Sequence, residues 1–155
     1  MEKIAIFAGS FCPFTKGHED IVRQALPLFD KIIIAIGHNF QKKDHFTVEQ
    51  RLQWIQGIYA GNPSVNVLSY TGLTVDLCRK TGAQYMIRGL RDTQDFMQEQ
   101  ELALVNRRLN PDVETLFLLA SEEWRPVSSS LVRELWSLGA DYTPYVSYQL
   151  PEYQL

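Results

Sequence analysis

The chain has 155 residues, the size of one ordinary domain, and its 45% apolar and 21% charged residues place it far from chains that stay disordered. Fifteen Lys and Arg against eighteen Asp and Glu leave a net charge of −3, which excludes an overall positive field toward nucleic acid or anionic lipid, so any anion site must be local. No apolar run approaches the roughly 20 residues of a spanning helix, no signal-peptide layout follows Met1, and Cys12 and Cys78 are too few for a disulfide scaffold or a zinc site, so a cytoplasmic protein with reduced thiols is expected.

Ile4-Ala5-Ile6-Phe7 reads as a first strand that stops at Ala8-Gly9-Ser10, and Gly17-His18 opens a helix carrying Ile21, Val22, Ala25 and Leu26 at helical spacing. Lys31 to Ile36 reads as a fully buried second strand, followed by a polar loop from Gly37 to His45. Thr47 with Gln50 then forms a capping box ahead of Leu52, Ile55 and Ile58. A weaker strand covers Val65 to Leu68, and the helix through Val75, Leu77 and Cys78 ends at Gly82. Gln84 to Ile87 is the fourth strand, which Arg88-Gly89 is expected to break. A long helix with Phe96, Leu102, Ala103 and Val105 runs to about Leu109, ahead of Pro111. Thr115 to Ala120 is the fifth strand. Ser128-Ser129-Ser130 suit the start of a helix that runs to about Leu138, and the Tyr-rich last fifteen residues read as irregular or briefly helical.

Strands alternating with helices predict an α/β, doubly wound five-stranded parallel sheet in a single domain, 1–155, with right-handed crossovers. Ligands of such sheets sit beyond the carboxyl ends of the strands, where strand order reverses. The residues just after each strand are Gly9, Ser10 and His18; Lys42 and Lys43; Leu73 and Thr74; Arg88, Gly89 and Arg91; and the serine triplet. An acidic protein that gathers cationic and hydroxyl groups along one edge is suited to hold phosphate there, helped by the helix starts near His18 and Ser128. Walker, G-x-G-x-x-G and G-x-S-x-G patterns are absent, which lowers the weight of kinase-type, classical dinucleotide and hydrolase readings.

Gly9-Ser10-Phe11-Cys12-Pro13-Phe14-Thr15-Lys16-Gly17-His18 resembles the G-[ST]-F-D-P-x-T-x-G-H signature of nucleotidyltransferases with a T/H-x-G-H motif, and Val127-Ser128-Ser129-Ser130 resembles their I-S-S-S motif. Arg88-Gly89-Leu90-Arg91 with Asp95-Phe96, Glu99 and Asn106-Arg107 is similar to the phosphopantetheine adenylyltransferases in particular, and the likeness covers about residues 3 to 147. The resemblance implies a Rossmann-like sheet and the conversion of ATP and 4'-phosphopantetheine to dephospho-coenzyme A and pyrophosphate. It also implies Mg2+ bound through the ATP phosphates with no metal-binding side chain, a homohexamer, coenzyme A as a feedback ligand, and neither nucleic acid nor membrane as partner.

By matching position, the resemblance assigns Ser10, Lys42 and Arg88 to the pantetheine phosphate, Thr74 to its arm and Glu134 to its amides. It assigns Ser10, Phe11, His18, Gly89, Leu90, Arg91, Glu99 and the segment Trp124, Arg125, Pro126, Val127, Ser128, Ser129 and Ser130 to ATP. His18, Lys42 and Arg91 are the expected catalytic groups. A phosphate monoester is already anionic at neutral pH, so the reaction needs donors and alignment rather than a general base. Cys12 departs from the family's usual Asp, and Ser10 and Thr74 are milder departures. Each group also has a plainer reading: His18 as a helix cap, Lys42-Lys43 as a solvated pair, Arg88 and Arg91 paired with Asp92 and Asp95, the serines as a cap, Glu99 on a solvated face, and both cysteines as packing. The competing functions are a nicotinate mononucleotide adenylyltransferase and a catalytically silent nucleotide sensor.

Overall fold

Five largely apolar runs form the strands β1 (Ile4–Gly9), β2 (Lys31–Gly37), β3 (Val65–Tyr70), β4 (Tyr85–Leu90) and β5 (Glu114–Leu119). Between and after them lie the helices α1 (Lys16–Ala25), α2 (Val48–Tyr59), α3 (Thr74–Thr81), α4 (Thr93–Leu109) and α5 (Ser129–Ser137). The computed structural model describes residues 1–155. All neighbouring strands pair in parallel, in the order β3-β2-β1-β4-β5, so the order reverses between β1 and β4. That reversal opens a crevice at the carboxyl edge of the sheet.

Side chains alternate across a strand, and β2 shows why both faces need helices: Ile32, Ile34 and Ile36 join one apolar cluster, Ile33 and Ala35 another. The first cluster includes Ile21 and Val22 of α1 and Ile55 of α2; the second includes Val75 and Cys78 of α3. Each fully buried Ile contributes about 1.5–3 kcal/mol relative to exposure, which makes this two-sided sheet the chief source of stability. The expected capping box is present at α2, where Thr47 Oγ1 accepts from the Gln50 N–H at 3.1 Å and Gln50 Oε1 accepts from the Thr47 N–H at 2.9 Å. Gly82 ends α3 with a φ of 74°, the left-handed turn that glycine adopts without strain.

One expectation is corrected. Strand β4 does not break at Arg88-Gly89: Arg88 pairs with Phe117 and Gly89 with Leu118, and the strand ends at Leu90. The glycine serves close packing instead, since a Cβ at Gly89 would lie 2.8 Å from Ile21 Cγ1 of α1. The apolar residues of α4 do not form a core face: the helix has no buried residue, and Phe96, Leu102 and Val105 are exposed. These residues lie around the helix and not along one side of it.

A third apolar cluster lies outside the sheet. Cys12, Phe46, Val127, Val132, Val146 and Leu150 are buried together, with Trp54, Trp136, Tyr142 and Tyr148 packed against them. The C-terminal tail is thus irregular, as expected, apart from a 3-10 turn at Thr143–Tyr145, yet it is firmly seated. No helix is long and apolar enough to cross a membrane.

Candidate active site

A cleft of about 310 Å³ occupies the reversal point, lined by the turn after β1, the start of α1, the end of β4, the start of α4 and the start of α5. Among the expected residues, Ser10, Phe11, His18, Arg88, Gly89, Arg91, Glu99, Val127, Ser128 and Ser129 line it. The N-termini of α1 and α5 both open onto the cleft through Gly17, His18, Ser128 and Ser129, so free backbone N–H groups and two positive dipole ends face it.

His18 is both cap and site residue. The Thr15 N–H donates to His18 Nδ1 at 2.9 Å, while Thr15 Oγ1 accepts from the His18 N–H at 3.4 Å, completing a capping box at α1. Because Nδ1 accepts, the neutral ring carries its proton on Nε2 and presents a donor at its other edge. The ring stacks on Phe14 at 5.2 Å and meets Phe11 edge-on at 5.0 Å. Burial, followed by the charges of Arg88 and Arg91, pushes its pKa down from 6.5 to about 3. Without a bound anion the imidazole is therefore neutral at physiological pH, a donor rather than a cation.

The two arginines differ in their freedom. Arg88 Nε and Nη2 donate to the two Glu99 oxygens, both at 2.7 Å, and Nη1 donates to the Ala8 carbonyl at 2.7 Å, so three of its five N–H groups are committed. Arg91 donates to Asp95 from its backbone N–H at 2.9 Å and from Nε at 3.3 Å, and keeps the other N–H groups of its guanidinium free. The plainer reading of Arg91 paired with Asp95 holds. For Arg88 the partner is Glu99 rather than Asp92, one strand end reaching the second turn of α4. The cleft is thus less cationic than its residue types suggest, and Arg91 is its most available charge.

The serine triplet starts α5 as expected, with each hydroxyl already engaged. Ser128 Oγ accepts from the Leu131 N–H at 3.0 Å, Ser129 Oγ donates to the Pro13 carbonyl at 2.8 Å, and Ser130 Oγ accepts from Arg133 Nη2 at 3.2 Å. Ser129 alone spends its O–H; Ser128 and Ser130 only accept, so their O–H groups remain as donors for an anion beside the backbone N–H groups of the helix start.

The other expected residues stand outside this cleft. Lys42 lies in the exposed loop after β2, where its backbone N–H donates to the Asn39 carbonyl at 3.0 Å. Thr74 opens α3, and its hydroxyl meets the Tyr70 hydroxyl at 2.7 Å. Both follow strands on the β2–β3 side of the same sheet edge. Leu90 is buried; Arg125, Pro126, Ser130 and Glu134 are exposed, and Trp124 is half-buried with Lys16 Nζ 5.9 Å from its ring centre.

Two further residues support the site and carry no local signal. Arg51 of α2 is 1% exposed; its Nη1 donates to the Ser10 carbonyl at 2.6 Å and its Nη2 to Asp44 at 2.9 Å. It thereby joins the turn after β1 to the loop that carries Lys42. Asp20 of α1 accepts from the Ser121 N–H at 2.9 Å and the Ser121 hydroxyl at 2.8 Å, tying α1 to the segment that leads to the serines. Burial pushes the Asp20 pKa up, but the Ser121, Arg23 and Gln24 donors outweigh it and hold the carboxyl below its ordinary range.

Residues 6–135 match the cytidylyltransferase-like family. A phosphopantetheine adenylyltransferase of Cytophaga hutchinsonii is 45% identical over 150 residues, covering 97% of this chain and 100% of that protein. Those of Flavobacterium psychrophilum (49% over 142 residues, 92% of this chain and 93% of that one) and Porphyromonas gingivalis (48% over 145 residues, 94% of each) are similar to the same extent. Among solved structures, a bifunctional NMN adenylyltransferase/ADP ribose pyrophosphatase of Francisella tularensis superposes with a TM-score of 0.72 at 22% identity, covering 97% of this chain and 46% of that longer one, a likeness of fold.

Proposed function

Since the chain belongs to the phosphopantetheine adenylyltransferase family, within the cytidylyltransferase-like group, we propose that it transfers the adenylyl group of ATP to 4'-phosphopantetheine. The products are dephospho-coenzyme A and pyrophosphate, and the step belongs to coenzyme A biosynthesis. The observation that carries the choice of acceptor is the 45% identity to such an enzyme across 97% of this chain.

In the reaction, a phosphate oxygen of 4'-phosphopantetheine attacks the α-phosphorus of ATP, and the bond from that phosphorus to the bridging oxygen of pyrophosphate breaks. The attacking oxygen bears no proton to remove, so the residues need only align the reactants and absorb charge. His18 Nε2–H donates to the α-phosphate as charge grows there. Arg91 and the N–H groups at the start of α5 steady the departing pyrophosphate. Lys42 and Arg88 offset repulsion between the two anions, Lys42 by closing over the acceptor from the loop after β2, with Thr74 and Glu134 along the pantetheine arm. Phe11, Leu90, Glu99 and the Trp124-to-Ser130 segment bound the nucleotide; in this role Glu99 acts through Arg88, whose fork it holds.

Both carboxylates lining the cleft, Asp95 and Glu99, are tied to arginines, and no cluster of three metal-ligating side chains exists. Mg2+ would enter on the triphosphate, with water as its other ligands, and would neutralise phosphate charge there. The homohexamer, coenzyme A feedback and cytoplasmic location belong to the same reading. Exposed Phe96, Met97, Leu102, Leu104 and Val105, spread around α4, supply apolar surface for subunit contact. Coenzyme A shares the pantetheine arm of the product and so would compete for the same cleft.

The test is to incubate the protein with ATP, Mg2+ and either 4'-phosphopantetheine or nicotinate mononucleotide, follow pyrophosphate release and identify the product by mass. Dephospho-coenzyme A from the first acceptor alone is the expected result. Product from nicotinate mononucleotide, or nucleotide binding without product, overturns it.

A further inference from the structure

The carbonyl oxygens of the turn after β1 are taken, one after another, by donors from distant parts of the chain. Ser10 O accepts from Arg51, Cys12 O from Arg133 Nη1 at 2.7 Å, Pro13 O from Ser129, and Phe14 O from the hydroxyl of Tyr148 in the C-terminal tail.

The Tyr148 contact has a consequence for catalysis. A trans peptide points its C=O and N–H in opposite directions, so the Phe14–Thr15 unit accepts from Tyr148 on one side and donates to His18 Nδ1 on the other, at 2.9 Å. Hydrogen bonds linked through one peptide polarise each other in the same sense. Packing holds the phenol in place. Its ring stacks on Trp54 with centroids 4.8 Å apart and planes 10° from parallel, and the neighbouring Val146 and Leu150 are buried beside Cys12. Ser147 Oγ fixes the same segment by donating to Glu19 at 2.6 Å. Burial, with the Glu19 charge adding to it, pushes the phenol's pKa up, so the hydroxyl is a donor throughout the working range.

We propose that Tyr148 is a positioning residue for His18: its hydroxyl fixes the Phe14–Thr15 peptide plane, and through that plane the orientation and Nε2–H tautomer of the imidazole. This rests on His18 being the donor to the α-phosphate, and it gives the Tyr-rich tail a part in the reaction. The Cys12 side chain is buried in one cluster with Val146 and Leu150, so the tail packs directly against the turn.

The test uses the full chain labelled with nitrogen-15, with the His18 ring signals assigned by comparison with His18→Gln. In the native protein Nε2 carries the proton, and a scalar coupling crosses the Thr15 N–H to Nδ1 bond. Tyr148→Phe, which keeps the stack on Trp54, gives a mixture of tautomers and about a tenfold lower kcat, with the KM for ATP changed by less than about threefold. Tyr142→Phe, which removes a contact internal to the tail, keeps the native signals and native kcat. Tyr148→Phe with a pure Nε2–H tautomer overturns the proposal, as does an equal loss of kcat in both variants. Absence of the coupling in the native protein overturns it however the variants fold. The nitrogen signals are read without substrate, so a tautomer shift in a protein that makes no dephospho-coenzyme A sinks the proposed reaction and sustains the link from tail to imidazole.

Discussion

Two turns on one edge of the sheet carry groups expected to meet phosphate, and they are built in opposite ways. The turn after β1 is apolar beneath, with Phe11, Cys12 and Phe14 buried, and its carbonyls are bonded to Arg51, Arg133, Ser129 and Tyr148. The loop after β2 is exposed from Asn39 to Lys43, and its side-chain anchor to the body is Asp44 on Arg51. A pinned turn offers donors already in place when charge develops, which lowers the barrier of the chemical step. An exposed lysine has to be brought in by its ligand and acts mainly on binding. The contrast divides the proposed site into a half that sets kcat and a half that sets acceptor affinity.

Substitutions in the two turns sharpen or break that division. His18→Ala is expected to lower kcat by about 10²-fold or more while leaving ATP affinity nearly unchanged, measured by steady-state kinetics and calorimetry. A matching loss of affinity would place the histidine in ground-state binding. Arg51→Met removes the one guanidinium shared by both turns, leaving the Ser10 carbonyl and Asp44 without their partner, and should cost about 2–3 kcal/mol in denaturant unfolding. Arg51→Lys should recover only part of this, because an ammonium cannot reproduce the fork.

Lys42→Ala should weaken 4'-phosphopantetheine binding by about tenfold, a loss of one charge-assisted contact, and change stability by less than about 0.5 kcal/mol. A destabilised Lys42→Ala would show the second loop to be as integral as the first. A separate effect, on stability and not on turnover, concerns acid. The His18 pKa is lowered to about 3 in the fold from 6.5, so the unfolded chain binds more protons between those values and stability falls as pH falls through that window. His18→Gln removes this contribution, and its urea midpoint should decline less than the native one from pH 6.5 to pH 4. Asp20 acts further down: its depressed pKa gives stability that is present above the ordinary carboxylate value and lost below it.

The alternation of strand and helix was legible because each unit announces itself locally, as Thr47 and Gln50 announce α2 or Gly82 ends α3. The site was legible where residues line a turn at a strand end, as Ser10, His18 and Arg91 do. It was not legible where a role depends on which distant group a side chain meets. Arg51 is a charged residue on a helix, and only the return of the Ser10 carbonyl makes it part of the core. Glu99 looks like a solvated carboxylate until β4 brings Arg88 beside it. Tyr148 lies 134 residues from the carbonyl it serves. Gly89 misleads in the other direction, because its sequence signal is that of a strand breaker while its reason is the side chain of Ile21 packed against it.

The distance from His18 Nε2 to the α-phosphate tests the central claim most directly, read from a crystal of the protein with 4'-phosphopantetheine and α,β-methylene-ATP. A phosphate oxygen about 3 Å from Nε2, with the acceptor phosphate opposite the methylene bridge, is the predicted result. A triphosphate seated elsewhere on the sheet edge, with the imidazole touching neither ligand, would contradict it.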